Sequence, residues 1–190
     1  MSADFATARE NMLDSQVRTQ DVTDLAIIDA MWGVARERAV PADKAYQAYA
    51  DIEVEYAPGR SILKPRDIAK TLQTLKPKKG ERALAIAAPY GAMVLEAMGL
   101  AVTVLNGDDL TAVTGGPYDV ILVEGAVAET PAAWTAALAT GGRLCVVERE
   151  AQVGRLMLYQ RSEDGIGKRP VFDATPPYLG GFEPKVRFAF

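Results

Sequence analysis

The chain has 190 residues, a formal net charge of −4, a single cysteine and no histidine. That length supports one domain with a real core, and the charge balance offers no basic face to a nucleic-acid backbone. One cysteine excludes an internal disulfide, and the absence of histidine excludes His-containing zinc sites and any Ser-His-Asp triad.

The opening "MSADFATARENMLDSQ" is polar, without the apolar core of a signal peptide, and no apolar run has the length of a membrane span. A cytoplasmic protein without membrane or nucleic-acid partners is therefore expected. The first forty residues read as helical. "TARENMLDSQVR" carries Ala8, Met12 and Val17 at helical spacing, and Thr23 or Asp24 can cap a second helix, "DLAIIDAMWGVARERA". Leu25, Ile28, Met31 and Trp32 lie on one face of it, which places Met31 and Trp32 in the core. "YADIEVEYAPGRSILKP" is extended and turning. It leads into an amphipathic helix, "PRDIAKTLQTL", with Pro65 at an allowed first-turn position.

From there strands and helices alternate. "RALAIA" is a buried strand, "MVLEAMGL" a helix, "AVTVL" and "YDVILVEGA" strands. "PAAWTAALATGG" reads as a helix ended by Gly141 and Gly142, and "RLCVVERE" as a strand holding Cys145 as a small core residue. This alternation predicts a parallel sheet with helices on both faces. "VGRLMLYQRS", "KRPVFDAT" and "KVRFAF" read as an antiparallel edge added to it. The organisation is one domain over 1–190, with a helical segment to residue 76 and an α/β core over 77–190.

Nearly the whole chain resembles the protein-L-isoaspartate O-methyltransferases, class I enzymes that use S-adenosylmethionine. "MLDSQVR", "IIDAMWGVARERAVP", "AYADIEVEY" and "GRSILKP" resemble the family's segments before the cofactor domain. "PYDVILVEGAVAETPAAWTAAL" with "GGRL" matches its fourth strand, next helix and fifth strand. The resemblance implies a Rossmann-like, mostly parallel sheet with an antiparallel C-terminal edge and N-terminal helices.

It also implies a cofactor site, and the residues at its positions depart from the family's. The acidic position on the first strand is Ala85, and the first two loop glycines are Ala87 and Pro89, leaving Gly91. The ribose-binding acid is Asn106, followed by Asp108 and Asp109, which read as turn or cap residues. Pro89 is expected to sit badly at a position that needs positive φ. Only thirteen residues, Leu105 to Pro117, run from the last residue of "VTVL" to the start of "YDVI". A helical crossover to a further strand does not fit there, so one helix and one strand of the family are expected to be missing. In "GRSILKP" Leu63 stands at the family's functional hydroxyl position, and Ser61 is the hydroxyl that catalysis would have to use; Lys64 reads as a surface lysine.

Glu124 falls at the C-terminal end of a central strand, where Arg149 or Arg143 are candidate partners. Gly91, Asn106, Asp108 and Glu124 are thus the candidate cofactor-binding residues, with no metal site. Two functions follow. One is a catalytically silent relative that expects no cofactor and acts as a binding module, with a homodimer or a protein partner covering the sheet edge left by the missing strand. The other is an active S-adenosylmethionine-dependent protein carboxyl methyltransferase with an unusual pocket.

Overall fold

A computed structural model describes residues 4–185. The helices are α1 (Phe5–Met12), α2 (Leu25–Gly33), α3 (Pro65–Leu75), α4 (Pro89–Ala97) and α5 (Ala132–Ala136). The strands are β1 (Val54–Ala57), β2 (Arg60–Ile62), β3 (Arg82–Ile86), β4 (Ala101–Leu105), β5 (Tyr118–Val127), β6 (Leu138–Glu150), β7 (Val153–Ser162) and β8 (Gly165–Asp173). No helix among the described residues is long and apolar enough to cross a membrane.

Asp4 caps α1 by accepting from Thr7 N at 3.1 Å, and Asp24 caps α2 by accepting from Ala26 N at 3.0 Å. In α2 the buried residues are Ile27, Ile28, Ala30 and Met31, whereas Leu25 and Trp32 are exposed. The expectation for Met31 holds and that for Trp32 does not. This helix is apolar almost all round, so periodicity alone does not choose which flank the fold covers. α3 has the predicted bounds, starts on Pro65 and buries Ile68, Ala69, Leu72 and Leu75.

β1 and β2 form a separate antiparallel hairpin. The main sheet has the order β4-β3-β5-β6-β7-β8. β4, β3, β5 and β6 are parallel neighbours, and β7 and β8 add an antiparallel edge. Side chains alternate across the pleat. Ala83 and Ala85 of β3, Val120 and Leu122 of β5, and Cys145 and Val147 of β6 join one core with residues of α2, α3 and α4. Leu84, Ile86, Ile121, Val123, Leu144 and Val146 join the other.

That second face has a thinner cover than the alternation predicts. α5 is only five residues long, because β6 takes over at Leu138 and runs through Gly141 and Gly142. A Cβ at Gly142 would lie 2.8 Å from the carbonyl oxygens of Ala139 and Tyr118, so the tight return of the chain there requires glycine. The rest of the cover is loop. Neither helix nor strand forms between Leu105 and Tyr118, as the count of thirteen residues predicts. Trp134 of α5 is buried and donates through Nε1 to Leu110 O at 2.6 Å, tying this loop down. Lys185 lies outside any strand, and the remainder of the expected strand "KVRFAF" lies outside the described residues.

Candidate functional site

In open parallel sheets a ligand sits beyond the C-terminal ends of the strands, where strand order reverses. Here that place is between β3 and β5, whose outer neighbours β4 and β6 run on in opposite directions across the sheet. The chain leaves β3 through Ala87 and Ala88 and enters α4 at Pro89. Ala87 has φ +47°, so the loop keeps a left-handed turn on a residue that bears a methyl group. Pro89 does not occupy a positive-φ position, contrary to expectation. It is the first helical residue, where a missing N–H costs nothing. Ala87, Ala88 and Tyr90 have no solvent-accessible surface, and Gly91 is buried.

Glu124 fills the space above this loop. Its Oε1 accepts from Gly91 N at 2.8 Å and its Oε2 from Leu63 N at 2.8 Å. Gly91 is in the first turn of α4, so the carboxylate faces the positive end of the helix and satisfies one of its free donors. Gly91 is required by this approach, since a Cβ there would collide with Leu122 Cδ2 and lie 3.1 Å from Glu124 Oε1. Burial pushes the Glu124 carboxyl above its ordinary value, against the opposing pull of Arg36 and the two backbone donors.

Arg36 is the cation of this site. It is fully buried, donates through Nε to Ala48 O at 2.6 Å and through Nη2 to Leu63 O, and stacks 4.5 Å from the centroid of the Tyr90 ring. Burial lowers its pKa, and Tyr90 and Glu124 oppose that. The Nη1 of Arg36 and the hydroxyl of Tyr90 are buried without a hydrogen-bond partner. The expected partners of Glu124 are engaged elsewhere: Arg143 pairs with Glu81 at 2.8 Å, and Arg149 donates to Ala151 O and Pro176 O. Sequence reasoning missed Arg36, and in "ARERA" nothing distinguishes it from Arg38.

The other candidates stand apart from Glu124. Asn106 Oδ1 accepts from Tyr56 OH at 3.0 Å and from Arg60 Nη1 at 2.7 Å, which clasps the β1–β2 hairpin to the end of β4. Asp108 is exposed. Asp109 Oδ1 accepts from Thr111 N at 2.8 Å and Thr111 Oγ1 at 2.6 Å, a local turn that holds its pKa low. Ser61 is half-buried in β2, paired across the hairpin with Glu55. Leu63 is buried, and Lys64 is held by Glu53 at 3.6 Å and Asp67 at 4.0 Å. Cys145 is buried, and burial pushes its thiol up, away from nucleophilic use. No cluster of metal-ligating side chains occurs among the described residues.

The chain matches the family model described as Protein-L-isoaspartate(D-aspartate) O-methyltransferase (PCMT) over residues 93–172. It is 34% identical over 166 residues to the protein-L-isoaspartate O-methyltransferase of Methylorubrum populi, covering 73% of this chain and 78% of that protein. The Koribacter versatilis protein of the same name is 26% identical, with 95% of each chain covered. In fold it resembles the crystal structure of a putative protein-L-isoaspartate O-methyltransferase from Plasmodium falciparum, solved in complex with S-adenosyl-L-homocysteine. That likeness has a TM-score of 0.72 at 19% identity and covers 94% of this chain and 99% of the other. The mostly parallel sheet with an antiparallel edge agrees with that fold, and the sequence matches carry the conclusion further: this chain belongs to the protein-L-isoaspartate O-methyltransferase family.

Proposed function

We propose that this protein keeps the family's fold without its S-adenosylmethionine chemistry and acts as a binding module. The observation that carries this reading is the carboxylate of Glu124, seated on Gly91 N and Leu63 N in the place where a ligand would lie. The residues present do not fit the cofactor. Ala87 and Ala88 leave no accessible floor, Leu63 N is already bonded to the carboxylate, and Arg36 lies buried against Tyr90 and the Leu63 carbonyl. At the ribose position Asn106 offers an amide already bonded by Tyr56 and Arg60, in place of an anion that could accept from two hydroxyls.

The competing reading, a methyltransferase acting on isoaspartyl or related carboxyl groups, is supported by the names its relatives carry. It would have to recruit Asp108, Asp109 and Glu124, use Ser61 as its hydroxyl, and rebuild the crevice to free Glu124. Calorimetric titration of the protein with S-adenosylmethionine and S-adenosylhomocysteine separates the two. The expected result is no heat and no thermal stabilisation at ~1 mM ligand, where a ligand at a hundred times its Kd would add about 2.7 kcal/mol. Micromolar binding, or methyl transfer to an isoaspartyl peptide, overturns the proposal.

A further inference from the structure

The main sheet ends in two edges of different character. The outer strand β8 carries Lys168, Arg169 and Pro170, and its register against β7 breaks between Leu156 and Met157. Charge, proline and a bulge are the devices that keep a strand edge from pairing with another chain. β4 has none of them. Its sequence is Ala-Val-Thr-Val-Leu, and its pairing with β3 is unbroken over Ala101 to Leu105. Among the described residues no strand pairs with its outer side, and Ala101, Thr103 and Val104 are exposed, Val104 by 51%.

The hydrogen-bond phase of β4 selects one way to cover it. Ala101 N donates to Glu81 O at 2.9 Å, and Leu105 O accepts from Ala87 N at 2.9 Å. Ala101, Thr103 and Leu105 therefore turn their backbone groups toward β3, and alternation turns those of Val102 and Val104 outward. Antiparallel pairing with a second copy about a two-fold axis at Thr103 sets Val102 opposite Val104 of the other copy, twice. Each outward N–H then meets an outward C=O. Thr103 faces its own counterpart in a non-hydrogen-bonded pair, and Thr–Thr and β-branched cross-strand pairs are favourable.

Charge agrees with this register. The C-terminal end of β4 runs into Asp108 and Asp109, both exposed, which outnumber the one cation there among the described residues, Arg60 on the Asn106 and Gly107 carbonyls. At its N-terminal end Lys79 packs against Gly99, where a Cβ would lie 3.0 Å from Lys79 Cγ, with Lys78 beside it. The nearby Glu81 is already paired with Arg143. The two-fold axis brings the acidic end of one copy to the basic end of the other.

We propose that the protein forms a homodimer by antiparallel pairing of β4 with β4 of a second copy, with the two-fold axis at Thr103, so that two sheets join into one. This goes beyond the reading of the crevice and does not depend on whether S-adenosylmethionine binds. Sedimentation equilibrium of the full chain up to ~100 μM tests it, with twice the chain mass expected at the upper end. Val104→Lys, at an exposed side chain, is expected to return the mass to one chain while keeping the unfolding transition. Thr103→Cys is expected to give a disulfide-linked dimer on mild oxidation. The Cα atoms of a facing non-hydrogen-bonded pair are about 4.5 Å apart, within disulfide reach. Cys145 is buried, so the unaltered chain stays uncrosslinked. A single-chain mass throughout, a dimer that survives Val104→Lys, or a Thr103→Cys chain that does not crosslink overturns the proposal.

Discussion

Glu124 is held by two backbone donors and feels the charge of the buried Arg36, and its burial still raises its pKa above the ordinary 4.5. The native chain therefore binds this proton more tightly than the unfolded chain does. By linkage, the stability this group contributes is fully present below about pH 4.5 and is lost as pH rises through the raised folded value. In Glu124→Gln that decline is absent. The difference in unfolding free energy, wild type minus variant, is expected to fall as pH rises above about 4.5 in urea titrations, because groups common to both chains cancel. A difference that rises over this window would mean that Arg36 and the two N–H groups hold the carboxylate more strongly than burial opposes it.

The loop between β4 and β5 shows how an element can be replaced without leaving the core open. Leu110 is buried beneath it, and Trp134 spans from α5 to the Leu110 carbonyl. Trp134→Phe keeps most of the apolar contact and deletes the donor, leaving a carbonyl without its partner. The expected cost is about 1–2 kcal/mol. Faster amide exchange confined to residues 106–117 would accompany it, because this loop has few backbone hydrogen bonds of its own. Unchanged exchange there would show that packing alone holds the loop. The same economy of chain explains the short α5, since its helix must end where Leu138 joins β5 through Tyr118.

Arg36 comes from the N-terminal segment and Glu124 from the centre of the sheet, so the whole molecule shares one buried electrostatic unit. Removing Arg36 leaves the buried carbonyls of Ala48 and Leu63 without its donors. Arg36→Ala is expected to cost about 3 kcal/mol in chemical denaturation, from those two orphaned acceptors. Far-UV and near-UV signals should still move together, because the N-terminal helices and the sheet unfold as one unit. Two separated transitions in the wild-type chain would show that the helical segment is a unit of its own.

Much of the fold was legible from the residues taken in order. α3, β4 and β7 have their predicted limits, and β3 stops one residue short of the expected Ala87. The missing crossover followed from counting thirteen residues, because a helix and a strand need a minimum length of chain. Family membership was legible too, in the order of the blocks. Local pattern could not choose the buried flank of α2 or the end of α5, where an apolar surround and a tight glycine return decide. Nor could it place a buried cation near Glu124. Arg36 lies eighty-eight positions earlier in the chain, and only folding the N-terminal segment over the sheet brings a cation to that carboxylate. Residue order and periodicity carried most of the elements and the lineage. The tertiary structure alone decided what fills the crevice, because a buried charge is matched in space and not in sequence.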